Sequence, residues 1–213
     1  MVEMLLVLPL VLSVVFGIVQ WGFVSQSKIT LNAATEQAAR AGALNNGNIG
    51  AIRKAFAEGM TPLFMNGQAD RAGLVQGYLR ARVQTRLRGN ITILNPNVQV
   101  FNRFRQNVLY PLQNRRIWEI PNDNLMFRPT ITENVGGGVT MNIQDANLLR
   151  LQVDWCQELI VPIIGDLILE SVRGFIPSAA QLRCDAISRA VGTPLIAVQS
   201  MATYRMQTPF RRN

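Results

Sequence analysis

Histidine is absent from the 213 residues, and cysteine occurs only twice, at Cys156 and Cys184. Without histidine there is no Ser-His-Asp triad, no Cys–His dyad and no imidazole-based metal centre. Two thiols alone do not make a structural zinc site. Carboxylates number 13 and are scattered singly along the chain. No Walker loop occurs: Gly136-Gly137-Gly138 lacks the Lys-Ser/Thr that cradles phosphate, and reads as a flexible turn. Aromatic content is an ordinary 7%, with no ligand set for a redox cofactor. These absences argue against an enzyme and imply no cofactor and no metal.

Length and hydrophobic content fit one extended element plus one packed domain, with 48% hydrophobic residues excluding global disorder. The formal charge is +8, almost all from arginine. Such a balance suits nucleic acid, an anionic cell surface, or simple solubility, and composition does not choose among them. Cys156 and Cys184 are compatible with a single disulfide in an exported domain, or with two unpaired buried thiols.

From Met4 to Ser27 there is no charged residue, and Met4 to Val24 is overwhelmingly apolar. About 20 helical residues cross a hydrocarbon core of roughly 30 Å, so the segment can span a bilayer. No basic residue precedes it and no A-x-A-like site follows, unlike a cleavable secretory signal. Glu3 stands at its start, where a carboxylate in lipid costs roughly 2.5–3.5 kcal/mol and needs a partner or the interface. Pro9 is expected to kink or loosen the helix, while Gly17 and Gly22 permit close helix approach or local loosening. A signal anchor with Glu3 among headgroups explains this segment equally well when it is taken alone.

The apolar run leads into an amphipathic stretch, Lys28 to Leu44. Ala33, Ala34, Ala38, Ala39, Ala41 and Ala43, with Gly42, form a surface of small side chains suited to close helix packing. Glu36 and Arg40 are spaced i and i+4, and Asn45-Asn46-Gly47 supplies a stop. The spacing predicts one helix of about 44 residues, near 65 Å long. That is more than a simple tether requires.

Met1-Val2-Glu3-Met4-Leu5-Leu6-Val7-Leu8-Pro9-Leu10, continuing to Gly17-Ile18-Val19-Gln20-Trp21-Gly22, resembles the start of the TadE-like branch of the type IV pilin superfamily. Asn32-Ala33-Ala34 and Ala38-Ala39-Arg40-Ala41-Gly42-Ala43 are similar to its Ala-Ala-Arg-x-Gly-Ala continuation. Pro194 through Gln207 is similar to its closing strand. Two departures are visible. The family's exit usually carries an acidic residue where this chain has Gln20. Pilin precursors also carry a basic leader cut after glycine, whereas here glutamate is third, so the sequence looks like an already processed chain.

The resemblance implies a subunit that waits in the inner membrane and is processed by a prepilin peptidase. Assembly machinery then draws it into an extracellular filament built of copies of itself, used for surface attachment. In that filament Glu3 would face the N-terminal amine of a neighbour's Met1, a pairing that offsets burial of both charges and sets register. Pro9, Gly17 and Gly22 would help the helix adapt within the bundle. The resemblance also admits a minor pseudopilin that primes assembly. A signal-anchored periplasmic binding protein is a third reading, which predicts that deleting Lys28–Leu44 leaves function intact.

The expected fold class is α+β and pilin-like. It comprises a helix over residues 1–44 and a head over 45–213 with an antiparallel sheet and additional short helices. Helices are expected at Ile49–Gly59, Ala69–Leu87 and Val161–Val172, the last with Pro162 in its first turn. In the second, Leu74, Tyr78, Leu79, Val83 and Leu87 form a predicted inward stripe, leaving Arg71, Arg80, Arg82, Arg86 and Arg88 mostly solvated. Strands are expected at Asn90–Leu94, Val98–Phe101, Ile117–Ile120, Leu148–Trp155 and Leu195–Met206. The basic head makes anionic surfaces or DNA candidate partners.

Overall fold

The computed structural model describes residues 2–65, 67, 70–110, 114–161, 164–175 and 178–212, with side chains in the first helix from residue 7 onward and that of residue 175 left out. Helix α1 runs without interruption from Val2 to Leu44. It stops where the sequence predicts. Asn46 and Gly47 take positive φ, and the Gly47 N–H donates to the Gly42 carbonyl at 2.8 Å, satisfying an end carbonyl.

Helix α2, Ile49–Met60, turns back along α1 after an N-cap in which Asn48 Oδ1 accepts from the Gly50 N–H at 2.7 Å. A 3-10 turn at Thr61–Phe64 follows, then α3 at Arg71–Arg88, capped by Asp70. Strand β1 (Gly89–Asn95) leads to α4 (Val98–Phe104). Strands β2 (Gln106–Tyr110) and β3 (Arg115–Ile120) then form a hairpin. The short strands β4 (Glu133–Asn134) and β5 (Thr140–Met141) flank Gly136–Gly138, all three of which have positive φ. Helix α5 (Ile143–Ala146) precedes the long strand β6 (Leu148–Glu158). Helices α6 (Ile164–Phe175) and α7 (Ala179–Val191), strand β7 (Leu195–Arg205) and a short β8 (Phe210–Arg211) complete the head.

The main sheet is antiparallel in the order β1-β6-β7, and a second sheet has the order β2-β3-β8. In β6, Leu149, Leu151, Val153 and Trp155 are all buried, as the two-residue period requires of one face. That face meets α1 and α2, whose Leu31, Ala34, Ala38, Ala39, Ile52, Phe56 and Met60 join the same core. Cys156 points the other way, into a smaller cluster with Cys184 and Leu195. There the two sulfurs are bonded, with Cα atoms 5.4 Å apart, fastening α7 to the opposite face. The head is therefore α+β, with helices on both faces of the sheet.

Several local expectations need correction. Val98–Phe101 belongs to helix α4, not a strand, because Asn97 Oδ1 accepts from the Val100 N–H and caps a helical turn. The predicted inward stripe of α3 is turned outward: Leu74, Leu79, Val83 and Leu87 are exposed, and Tyr78 is half-buried. The buried face is Gly73, Gly77 and Ala81. A Cβ on Gly77 would come within 2.9 Å of Met65 Cγ, so a larger residue there would have to displace that side chain. Strand β2 and helix α7 carry weak sequence signals and were not expected. Pro162 lies outside the described residues. The helix is continuous through Glu36 and Arg40, as their spacing suggests, and the Arg40 guanidinium lies over the Tyr204 ring.

Candidate functional site

The first half of α1 leaves the head and shows its large side chains to the surroundings. Val7, Leu8, Leu10, Val11, Leu12, Val14, Val15, Phe16, Ile18 and Val19 are all exposed, and Trp21 is 71% exposed. Among the described residues this is the one helix long and apolar enough to cross a membrane. From Val2 to Trp21 it rises about 30 Å, the thickness of a hydrocarbon core, and Trp21 stands where interfacial tryptophans prefer to lie.

Glu3, Pro9, Gly17 and Gly22, singled out from the sequence, lie on this element. Met1 lies outside the described residues. Glu3 is in the first helical turns, and its side chain too lies outside them. Pro9 lies inside the helix, which continues through it. It removes a single N–H from the ladder, and Ser13 Oγ donates to its carbonyl at 2.7 Å one turn on. Gly17 and Gly22 face open space: among the described residues no atom outside the adjoining helix backbone lies within 4 Å of where a Cβ would stand. No contact among the described residues requires glycine at either position.

The boundary between free and embedded helix falls at Gln20, which the sequence marked only as a departure from an acidic residue. Its side chain is fully buried. Its Oε1 accepts from the Ile160 and Val161 N–H groups at 3.0 and 2.9 Å, ahead of α6. Two donors fix which end of the amide is oxygen, so Nε2 is left buried with no acceptor among the described residues. A carboxylate there would accept both bonds and leave no orphan donor, a physical reason for an acidic residue at this exit.

Beyond Gln20 the helix becomes part of the head. Lys28 Nζ donates to the Gln199 carbonyl, and the Ser200 hydroxyl donates to Asn32 Oδ1 at 2.9 Å. The alanine face is spent inside the subunit: Ala34, Ala38, Ala39 and Ala43 are completely buried, and only Ala33 is exposed and Ala41 half-buried. A Cβ on Gly59 would stand 2.7 Å from Ala34 Cα, so α2 rests directly on the α1 backbone. The small-residue surface suited to close helix packing is largely buried against α2 and the main sheet.

At the other end of the head a buried carboxylate ties the chain terminus down. Glu119 accepts from the Tyr110 hydroxyl at 2.7 Å and from Arg211 Nε at 2.8 Å. Burial and the adjoining Glu119 carboxylate hold the Tyr110 pKa above its ordinary value. Burial opposes the Arg211 charge, but hydrogen bonds to Glu119 and Tyr110 raise its pKa overall. With every member partnered and the charges internal, this cluster is a clamp between β2, β3 and β8.

An α+β head carried on a protruding apolar helix suits membrane anchoring through that helix. Residues 1–40, which contain the whole protruding element and the start of its embedded half, match the family model described as TadE-like protein. The match is consistent with a TadE-like, pilin-type protein and connects the chain with the Tad pilus. Comparison with curated proteins and with solved structures gave no match.

Proposed function

We propose that the chain is a structural subunit of a Tad-type pilus. It waits in the inner membrane with the first half of α1 in lipid, then packs that half against the α1 helices of other copies in an extracellular filament. The observation that carries this reading is the division of α1. A head with its own core holds the helix from Gln20 onward and leaves the apolar stretch over residues 7–19 exposed. Lipid covers such a stretch before assembly, and those of neighbouring copies cover it afterwards. Glu3 then pairs with a neighbour's N-terminal amine and sets register, a role better attested for buried charges than large stabilisation. Prepilin peptidase and the assembly machinery act on the subunit before this step.

A minor subunit at the filament tip is the second reading. It is favoured by burial of the alanine face inside the head, which leaves chiefly the segment before Gln20 for contact between copies.

The test is Glu3→Ala, with head-specific immunogold on sheared filaments. Loss of the subunit from filaments with an unchanged membrane pool is expected, because the anchor does not need Glu3 while packing beside an amine does. Normal incorporation of the variant would remove the pairing from the proposal. Label along the whole shaft selects the major subunit, and label confined to the ends selects the minor one.

A further inference from the structure

Charge in the head is not evenly spread. Between Arg71 and Trp118 there are nine arginines and no carboxylate, whereas the rest of the chain carries 12 basic against 13 acidic side chains. Part of that excess borders an open cleft of about 520 Å³ between α2, α3 and the start of β1. Arg53 and Lys54 form one wall, Arg82 and Arg86 the other, and Thr85 and Asn90 add polar groups. Arg82 and Arg86 are one helical turn apart, about 6 Å along α3. Among the described residues neither they nor Arg53 has an ion-pair partner, and Lys54 has only a loose 4.0 Å contact with exposed Glu58. By contrast Arg88 is neutralised by Glu158, and Arg105 is stacked over Trp118.

Four cations on facing walls keep their charge for something outside the molecule. We infer that this cleft binds the phosphodiester backbone of nucleic acid, without sequence preference. Guanidinium forks match phosphate oxygens, and two facing rows contact a line of phosphates from both sides. The only aromatic side chain in the lining, Phe56, is fully buried, so no ring is offered for stacking on bases. That leaves backbone contact, which positions a strand but does not read it.

The headgroups around α1 are the other source of phosphate, and height along the helix argues against them. The α2 wall stands level with the end of α1, since a Cβ on Gly42 would meet Ile52 at 2.8 Å. Gly42 lies about 32 Å beyond Trp21 along the helix axis, well outside a bilayer that ends at Trp21. This placement rests on the membrane reading of α1, whereas binding itself needs no filament.

The experiment uses the full chain in non-ionic micelles and the anisotropy of a labelled 20-base-pair duplex across a salt series. With up to four phosphates neutralised, log affinity should fall with log salt at a slope of about −3 to −4, a loss on the order of 100-fold from 50 to 200 mM. Arg82→Gln with Arg86→Gln should weaken binding at least tenfold at 50 mM and reduce the slope by about 2. Arg71→Gln with Arg116→Gln removes the same charge outside the cleft and should change affinity less than about twofold. All four side chains are exposed, so circular dichroism should be unchanged. Equal loss in both pairs would reduce the effect to bulk charge and overturn the site. So would no duplex binding at 50 mM, or cleft-dependent binding to phosphatidylglycerol vesicles alone. A subunit that binds duplex yet never enters filaments would refute the proposed function and leave the cleft standing.

Discussion

Residues 7–19 of α1 carry leucine, valine, isoleucine and phenylalanine and expose nearly all of them, whereas residues 31–43 of the same helix carry six alanines and bury four of them. Side-chain size, rather than hydrophobicity alone, separates the two halves. The embedded half lies against α2 and the sheet closely enough that Gly59 touches the backbone at Ala34 and Gly42 touches Ile52. Large side chains would push these layers apart. The protruding half meets no neighbour within the subunit, so its volume is free to fill lipid or a bundle. Helix α3 repeats the rule, with Gly73, Gly77 and Ala81 inward and its leucines outward. In this molecule small residues mark internal helix seams, and long apolar stripes mark surfaces left for something else.

The strongest test applies one substitution to both halves. Leu31 is fully buried and Leu10 is 67% exposed, although they lie on one helix. Leu31→Ala should cost about 3 kcal/mol of head stability through lost transfer energy and the cavity left behind. Leu10→Ala should change it by less than about 0.5 kcal/mol. Denaturant unfolding in non-ionic micelles, followed by the near-ultraviolet dichroism of buried Trp155, measures both. Similar costs at the two sites would erase the distinction. The same burial changes how a Lys28–Leu44 deletion must be read. It removes Leu31, Ala34, Ala38, Ala39 and Ala43 from the core, so loss of function would report an unfolded head as readily as a failed filament.

How far the sequence discloses this arrangement depends on where the signal lies. Helix α1 with its Asn-Gly stop, strands β6 and β7, and the Gly136–Gly138 turn are legible because periodicity or φ demands are strong and local. The inversion of α3 is not. A leucine stripe at helical spacing predicts burial unless one knows that Met65 packs closely against the helix at Gly77. Helix α4 is missed because Val98, Val100 and Phe101 resemble a strand by propensity, while the decisive signal is one capping side chain, Asn97. At the candidate site Glu3, Pro9, Gly17 and Gly22 are visible as oddities in an apolar run. The role of Gln20 is not, since its partners lie 140 residues away. The cleft is half visible: α3's arginines stand out, but Arg53 and Lys54 join them only through the packing of α2.

Gln20 locates the boundary between the halves, and a smaller effect tests it. Gln20→Ala leaves the Ile160 and Val161 N–H groups without their acceptor, at a cost of about 1–3 kcal/mol. The loss should be local, so hydrogen exchange at those two amides should quicken while the β6 ladder keeps its protection. Gln20→Glu retains an acceptor for both groups and should restore slow exchange at them. Unchanged protection in Gln20→Ala would mean that the head is not fastened to α1 at this level, and the boundary would move toward Lys28 and Asn32, where the next cross-links occur.

The smallest effect on stability comes from the glycines of the protruding half, and it separates what the subunit needs from what its neighbours need. Gly17→Ala and Gly22→Ala add a methyl group where nothing lies within 4 Å and favour helix by up to about 1 kcal/mol each. Head unfolding and the membrane pool should therefore be unchanged. If neighbouring α1 helices approach at these positions, as the proposed filament requires of gaps left open within the subunit, the methyl groups hold them apart. The yield of subunit in sheared filaments then falls while the membrane fraction fills. Quantitative immunoblotting of the two fractions reads that ratio directly. A wild-type ratio for both variants would leave these glycines with no role in helix packing, and contact between copies would have to run along the leucine and valine faces instead.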